Sequence, residues 1–263
     1  MFRTRVLTAV IGIPLMLFIL FQGGYLWMGL FFIMAVGSLY EYYGMMKQKG
    51  IAIMRLPGYS LLLLLWAFPL LGSESWFWAG LMAILMVVVA YAVLLYPHIR
   101  LPEIAMNLFG PLYLGITLQY ALRILTMAEP FKIILLVLLL TWASDVGGYA
   151  VGMLWGKRKL ASHLSPKKTW EGALGSMLFC LLIAVGFARL VEIGTPGYAY
   201  FVLIGLAASV AAQLGDLFMS GIKRYFGVKD SGFIILGHGG ILDRFDSFLL
   251  VLPLVYYGVY CVM

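Results

Sequence analysis

Charged residues are scarce in this chain of 263 residues. Only 11% of the residues are charged, whereas 63% are hydrophobic, and the mean hydropathy is +1.01. Soluble domains have about a quarter of their residues charged, so a soluble enzyme is excluded. The net charge of +7 does not indicate a nucleic-acid-binding protein, because the chain has no basic soluble segment that could carry this function.

Cysteine is also scarce. Cys180 and Cys261 lie in apolar segments, which argues against a disulfide framework or a thiolate metal site. Strictly alternating segments are lacking too, since runs such as 82–93 and 133–140 are continuously apolar. This pattern excludes an outer-membrane barrel and predicts helices. The apolar N-terminus could pass for a signal peptide, but it lacks a convincing cleavage site, and we expect it to be the first membrane span.

Windows of about 20 apolar residues predict an all-α, polytopic integral membrane protein with about nine transmembrane helices. The predicted spans are approximately 6–22, 25–46, 57–72, 76–96, 104–123, 131–155, 171–190, 197–222 and 244–262. The fifth is the weakest, and Pro111 is expected to kink it. No repeat or linker divides the chain, which predicts one membrane domain over 1–263, with scaffold helices to about 130 and catalytic helices and cytoplasmic loops from about 131.

The distribution of basic residues predicts the orientation. With the N-terminus inside, all of the 18 lysines and arginines fall on the inner side except Arg123, Lys132 and Arg189. This asymmetry predicts an N-in and C-out topology. The loops at about 156–170 and 223–243 then share the cytoplasmic face. We therefore expect a protein of the cell inner membrane whose active site faces the cytoplasm.

Aspartate is absent from the first 144 residues, so the second half of the chain is expected to carry the chemistry. Within it, the segment 220–246 is exceptionally rich in ionisable residues for so apolar a protein. Such a concentration beside membrane spans indicates a functional site. Its ionisable residues are Lys223, Arg224, Lys229, Asp230, His238, Asp243, Arg244 and Asp246.

A polar stripe is predicted in the eighth span. Gln213, Asp216, Ser220 and Lys223 are three or four residues apart and therefore share one helical face. An ion pair between Asp216 and Lys223 that only holds two helices together is the structural alternative. An aspartate near a helix centre costs about 2.5–3.5 kcal/mol on insertion scales, which favours a functional role.

Two further aspartates open the ninth span. Asp243 and Asp246 are three residues apart in the predicted first helical turn, where the helix dipole favours carboxylates. Capping of the helix and pairing with Arg244 is the simpler interpretation for Asp243. Together with Asp216, however, the two aspartates offer the oxygen ligands that Mg²⁺ prefers.

A glycine-rich turn precedes this helix. Gly237, His238, Gly239 and Gly240 allow a close backbone approach, and their N–H groups can face an anion at the helix N-terminus. The alternative is an ordinary loop. His238 is either a phosphate contact or a histidine satisfied within that loop.

The other inner loop reads KRKLASHLSPKKTWEG. Ser165 and Pro166 suit the N-cap and first position of the seventh helix, which would place Lys167 and Lys168 in its first turn. Lysines there oppose the helix dipole, so phosphate binding explains them better than membrane anchoring alone.

A single aspartate interrupts the sixth span in the sequence TWASDVGGYAVG. Asp145 lies 12 residues before Lys157, which is about 18 Å along a regular helix. This depth suits a polar group in a lipid-accessible cavity. The nearby glycines at 147, 148, 152 and 156 are equally consistent with close helix packing and with a functional role.

The segment SGIKRYFGVKDSGFIILGHGGILDRFD resembles the defining motif of the phosphatidate cytidylyltransferases, also called CDP-diacylglycerol synthases. The serine, Lys-Arg, Lys-Asp, His-Gly-Gly and Asp-Arg-x-Asp elements occur in order. SPKKTWEG and SDVGGY resemble other recurring features of that family. The resemblance covers roughly residues 140–250, whereas the first 130 residues match only in hydrophobicity. Val146 departs from the family pattern, which often has a small hydroxyl residue there.

The resemblance implies transfer of the cytidylyl group of CTP to phosphatidic acid, giving CDP-diacylglycerol and pyrophosphate, in phospholipid biosynthesis. It also implies a requirement for Mg²⁺. We expect Asp216, Asp243 and Asp246 to be metal ligands and, with Lys223, the catalytic residues. The expected substrate-binding residues are Asp145, Lys167, Lys168, Ser220, Arg224, Lys229, Asp230, His238, Gly239, Gly240 and Arg244.

Several properties stay open at this point. The site could hold one metal ion or two, the second of them divalent or monovalent, and the protein could be a monomer or a homodimer. The expected partners are CTP, phosphatidic acid and membrane lipids, with no nucleic acid. The competing functions are another CTP-dependent lipid enzyme, such as a polyprenol kinase, and an ion-coupled transporter with Asp145, Asp216 and Lys223 along its path.

Overall fold

The computed structural model describes residues 2–190, 197–235, 237 and 239–261, and these form nine α-helices and one short β-hairpin. The predicted all-α class is therefore confirmed, with the hairpin as an addition. The elements are α1 (Phe2–Gln22), α2 (Gly24–Gln48), α3 (Arg55–Trp66), α4 (Glu74–Leu94), α5 (Leu101–Leu125), α6 (Pro130–Trp155), β1 (Lys159–Ala161), β2 (Ser165–Thr169), α7 (Trp170–Leu190), α8 (Tyr198–Tyr225) and α9 (Leu242–Tyr260).

Within the described residues, six helices are long and apolar enough to cross a membrane, as expected for a helical membrane protein. They are α2, α4, α5, α6, α8 and the part of α7 from Trp170 to Arg189. The fifth predicted span is one uninterrupted helix through Pro111. The third is shorter than expected, because α3 has 12 residues and a 3₁₀ turn follows it at Phe68–Leu70. Twelve residues cover about 18 Å, less than the roughly 30 Å of a hydrocarbon core.

The chain folds into two compact units. The first unit comprises Met1–Thr126 together with Phe226–Arg244, and the second comprises Met127–Tyr225 together with Phe245–Met263. The division after Thr126 lies close to the predicted change from scaffold to catalytic helices near residue 130. The loop that follows α8, however, folds with the first unit, so that unit contains part of the charged motif. Whether the chain acts as a single domain stays a prediction.

The core of the first unit is built by α2, α3 and α5. Trp27 is fully buried, and its indole N–H donates to the carbonyl of Ala121 at 3.0 Å. Asn107 is also fully buried; it donates to the carbonyl of Ala52 at 2.8 Å and accepts from the N–H of Met54 at 2.7 Å. These hydrogen bonds satisfy backbone groups between α2 and α3, where the chain is not helical. Buried polar groups need such hydrogen-bond partners.

The core of the second unit depends on a close approach of α6 and α7. A Cβ atom added to Gly147 would lie 2.6 Å from the carbonyl oxygen of Gly175, and one added to Gly148 would lie 2.8 Å from Ser176 Oγ. Ser176 Oγ also donates to the carbonyl of Ser144 at 2.6 Å. Small residues allow such contacts between membrane helices. The structure thus supports helix packing as the role of Gly147, Gly148 and Gly152, whereas a Cβ atom on Gly156 would meet Thr169 of the hairpin.

Candidate active site

The helix start predicted at Ser165 is wrong. Residues Ser165–Thr169 form strand β2, which pairs antiparallel with β1, and α7 begins directly after it. Thr169 supplies the cap instead, because its Oγ1 accepts the N–H of Gly172 at 3.1 Å. Lys167 and Lys168 therefore project from a strand, and the helix dipole does not oppose their charges.

Glu171 fixes the start of this hairpin. Its carboxylate accepts the backbone N–H of Lys157 at 3.0 Å and that of Arg158 at 3.2 Å. The N–H of Trp170 in turn donates to the carbonyl of Arg158 at 2.9 Å. Glu171 in the first turn of α7 thus holds the segment that enters β1, a role beyond the balancing of the helix dipole.

The centre of the candidate site is an ion pair between β2 and α8. Lys168 Nζ lies 2.5 Å from Asp216 Oδ2, and the two side chains are 25% and 29% exposed. Ser220 Oγ donates to Asp216 Oδ1 at 3.3 Å from the next turn of α8. The predicted helical face is confirmed at this point, because Asp216 and Ser220 share it. The hairpin brings Lys168 to the same carboxylate.

Asp246 joins this centre through the contact between α8 and α9. A Cβ atom added to Gly215 would lie 2.6 Å from the backbone oxygen of Asp246, so the two helix backbones meet directly beside Asp216. The Asp246 side chain is buried, and it interacts electrostatically with Asp216, Lys223 and Asp145. The second unit thus places three carboxylates and two lysines in one electrostatically linked cluster.

The remaining predicted residues of the second unit lie near the ends of helices and strands. Lys167 is exposed on β2, and Arg224 is exposed in the last turn of α8. Asp145 lies further from a helix end; it is exposed on α6, ten residues before the helix ends at Trp155. The exposed cations are therefore accessible to an anionic ligand approaching this end of the unit.

The first unit contains the other predicted residues. Asp243 lies in the first turn of α9, whereas Asp246 lies in the second turn, because the helix begins at Leu242. Asp243 Oδ2 accepts the N–H of Ser231 at 2.8 Å and that of Gly240 at 3.1 Å. The N–H of Gly240, which we expected to face an anion, is thus used within the loop.

The other residues of this loop are placed as follows. Gly239 has a φ of 86°, a conformation that favours glycine. Lys229, Asp230 and Arg244 are exposed. His238 lies outside the described residues.

Glu41 on α2 is a buried residue of this region that the sequence interpretation missed. Its side chain is almost completely buried, yet the carboxylate accepts hydrogen bonds from Ser231, Ile241 and Leu242. An acidic residue inside an apolar run is itself a signal of function or of a specific partner. That signal was available in the second predicted span.

The donor set of the second unit fits a Mg²⁺ ion that is bound together with substrate. Among the described residues, no three His, Cys, Asp or Glu side chains form a group that could hold a metal ion. Asp216 and Asp246 nevertheless supply two hard carboxylate ligands in one cluster. Mg²⁺ is commonly held by one or two carboxylates, with substrate phosphates and waters completing its shell.

Known proteins match this chain over nearly its whole length. The sequence profile described as "Cytidylyltransferase family" matches residues 3–262. The chain is 36% identical to the phosphatidate cytidylyltransferase of Bacillus subtilis, covering 97% of this chain and 96% of the relative. It is 37% identical to the protein of the same name from Staphylococcus epidermidis and 35% identical to that from Staphylococcus aureus, in each case covering 96% of this chain and 97% of the relative.

Proposed function

Because the chain belongs to the cytidylyltransferase family, we propose that it transfers the cytidylyl group of CTP to phosphatidic acid, giving CDP-diacylglycerol and pyrophosphate. The observation that carries this proposal is the family match, which extends over almost the whole chain and includes the charged segment 220–246. The cluster around Asp216 supports it, since a phosphorylated lipid and a nucleotide both require cations at the end of a membrane helix.

The proposed reaction is a displacement at phosphorus. An oxygen of the lipid phosphate forms a bond to the α-phosphorus of CTP, and the bond from that phosphorus to the bridging oxygen of the β-phosphate breaks. The electron pair leaves with pyrophosphate. The lipid phosphate is already a nucleophile, so neither a covalent enzyme intermediate nor a general base is needed.

Cationic side chains of the second unit would stabilise the developing charge. Lys168 and Lys223 lie at the cluster that contains Asp216, and Lys167 and Arg224 are exposed nearby in the chain. Because Lys168 is paired with Asp216, an incoming cation at Asp216 would release the lysine to bind phosphate. Cations aimed at a transferring phosphoryl group are a common source of transition-state stabilisation.

We propose Asp216 and Asp246 as the Mg²⁺ ligands. When bound, Mg²⁺ neutralises triphosphate charge and orients the α-phosphorus for attack. Asp243 stays a predicted ligand, as does the presence of a second, divalent or monovalent, cation. Isothermal titration of the protein with Mg²⁺ in the presence of a non-hydrolysable CTP analogue, in wild type and in Asp216→Asn, tests the assignment.

The number of membrane segments, their orientation and the location of the protein are also proposed. We propose nine membrane-inserted segments with the N-terminus inside, a location in the inner membrane, and an active site that faces the cytoplasm, where CTP is available. The asymmetry of basic residues supports this orientation. In a Cys261→Ser background, which removes the exposed native thiol, Lys167→Cys should react with an impermeant maleimide only after the cells are opened. Labelling in intact cells would contradict the orientation.

A direct test of the function is a defined assay with purified protein. Incubation with phosphatidic acid, CTP and Mg²⁺ should yield CDP-diacylglycerol by mass spectrometry of the lipid fraction, together with one pyrophosphate per lipid product. Phosphorylation of a polyprenol with release of CDP would support the kinase alternative, and ion-driven flux into liposomes without CTP would support a transporter. Mass photometry of the protein in nanodiscs would distinguish a monomer from the homodimer that we retain as a prediction.

A further inference from the structure

The carboxylate of Glu41 is the centre of a hydrogen-bond network in the first unit. Oε1 accepts the N–H of Ile241 at 2.8 Å, and Oε2 accepts the N–H of Leu242 at 2.9 Å. Ser231 Oγ donates to Oε2 at 2.8 Å. Glu41 is only 2% exposed, so these three donors replace the water that the carboxylate loses on burial.

Two of the donors belong to the start of α9. The first N–H groups of a helix have no partner within the helix, and its N-terminus favours negative charge. Glu41 satisfies two of these groups from a different helix. It therefore fixes where α9 begins, although it lies 200 positions before Ile241 in the sequence.

The loop between α8 and α9, residues 226–241, is shaped to admit this carboxylate. A Cβ atom on Gly232 would lie 2.9 Å from the Glu41 side chain, and one on Gly240 would overlap both Glu41 Oε2 and Ser231 Oγ. Glycine at these positions leaves the space that Glu41 occupies. Gly240 thus leaves room for Glu41 and also donates its backbone N–H to Asp243.

A second carboxylate ties the same loop to its own end. Asp243 Oδ2 accepts the N–H groups of Ser231 and Gly240, while Glu41 accepts the hydroxyl of Ser231. Between these tethers, the described part of the loop has an isolated bridge between Ile235 and Gly239 but no named helix or strand. The two carboxylates therefore tether Ser231 to the end of the loop at Gly240 and Ile241.

From this geometry we infer that Glu41 is a positioning residue for the proposed cytidylyl transfer. It holds the loop 226–241, which carries the predicted substrate-binding residues Lys229, Asp230, Gly239 and Gly240. Both carboxylate oxygens are engaged by the protein, so Glu41 acts through the loop and does not itself contact substrate. The inference rests on the proposed function and adds to it a residue outside the charged motif.

The decisive substitution is Glu41→Gln, which keeps the size but presents an NH₂ group to one of the donors. We expect kcat/KM for CTP to fall about 10- to 100-fold, as for other residues that orient a functional group. Most of the loss should appear as a higher KM for CTP. Glu41→Asp, which keeps the charge on a shorter side chain, should restore part of the loss. Glu74→Gln is the matched control, because Glu74 is exposed at the start of α4 in the same unit.

Hydrogen exchange distinguishes positioning from a general loss of stability. In Glu41→Gln, peptides from 231–241 should exchange faster, whereas peptides from α5 should keep their wild-type protection. A folded Glu41→Gln protein with kcat/KM within about twofold of wild type would overturn the inference, given the 10- to 100-fold loss expected for an orienting residue. Equal loss of protection throughout the first unit, with unchanged kinetic constants for each folded molecule, would overturn it as well.

Ser231→Ala serves if Glu41→Gln does not fold. It removes one hydrogen bond to the carboxylate and should lower kcat/KM for CTP by about tenfold; an unchanged value would contradict the inference. Wild-type protein is the reference in every assay. If wild type forms no CDP-diacylglycerol, the proposed function itself fails. If wild type is active and both variants match it, only the role of Glu41 fails.

Discussion

Asp216 in the second unit and the carboxylates of Glu41 and Asp243 in the first unit are satisfied in different ways. In the second unit, Asp216 is paired with the side chains of Lys168 and Ser220, and the Lys168–Asp216 pair is partly exposed. In the first unit, Glu41 and Asp243 accept mainly backbone N–H groups, at distances of 2.8 to 3.1 Å. The carboxylate of Asp216 is thus held by exchangeable side chains, whereas those of Glu41 and Asp243 are held mainly by the backbone.

This difference indicates two different roles for these carboxylates. A lysine side chain can leave a carboxylate by rotating about its own bonds, so a cation or a phosphate can take its place. A backbone N–H cannot leave unless the loop changes its conformation. Asp216 is therefore suited to bind ligands that arrive and depart, whereas Glu41 and Asp243 hold a loop in a defined shape.

The largest effect on activity is expected from Asp216→Asn. This substitution removes the charge that Lys168 and the proposed Mg²⁺ share, and turnover should fall by at least about 100-fold. Tm should change little, because the pair is partly exposed and even a fully exposed pair contributes only about 0–1 kcal/mol. Glu129→Gln is the control, since Glu129 forms an exposed ion pair with Lys132 at 3.2 Å in the same unit. An Asp216→Asn protein that keeps half of its turnover would contradict the ligand assignment.

Gly240→Ala should disturb the loop that Glu41 and Asp243 hold through backbone hydrogen bonds. The new methyl group would overlap Ser231 Oγ and Glu41 Oε2, so the loop must shift. We expect at least about a tenfold loss of kcat/KM for CTP together with a lower Tm. Gly44→Ala is the control, because a Cβ atom there has no neighbour within 4 Å. Equal activity of the two variants would show that the loop tolerates displacement.

The two lysines of β2 should differ from each other. Lys168→Ala removes the partner of Asp216 and a proposed phosphate ligand, and kcat/KM should fall about tenfold or more. Lys167→Ala removes an exposed lysine and should have a smaller effect. Steady-state kinetics of both variants at several salt concentrations provide the measurement. A larger loss for Lys167→Ala would place the functional lysine on the other face of the strand.

The smallest effect on activity is expected from Gly147→Ala. A Cβ atom there would lie 2.6 Å from the carbonyl of Gly175, so α6 and α7 must separate, at a cost of about 1–3 kcal/mol in unfolding free energy. Turnover of each folded molecule should stay near wild type. Gly186→Ala, which introduces no contact within 4 Å, should not destabilise the protein. Unchanged stability of Gly147→Ala would contradict the packing role.

Much of the fold could be predicted from hydropathy, because apolar length alone identifies most membrane helices. The hairpin could not. Ser165 has the composition of a helix cap, and only the pairing of β2 with β1 assigns the cap to Thr169. Local signals compete at such boundaries, and the tertiary context decides between them.

The candidate site likewise contains some contacts that could be predicted from the sequence and others that could not. The approach of Ser220 to Asp216 follows from helical spacing and could be predicted. The contacts of Lys168 with Asp216 and of Glu41 with Ile241 join residues that are distant in sequence. No local pattern encodes such pairs. An isolated acidic residue in an apolar span was the one available sign of Glu41.

Two differently labelled forms of CTP test the central claim most directly. Purified protein receives phosphatidic acid, Mg²⁺ and CTP labelled with ³²P at either the α or the γ position, with Asp216→Asn in parallel. We predict labelled lipid only from the α-labelled nucleotide, labelled pyrophosphate from the γ-labelled nucleotide, and almost no lipid label with Asp216→Asn. Label transferred to lipid from the γ position, or equal lipid labelling by wild type and Asp216→Asn, would contradict cytidylyl transfer at this site.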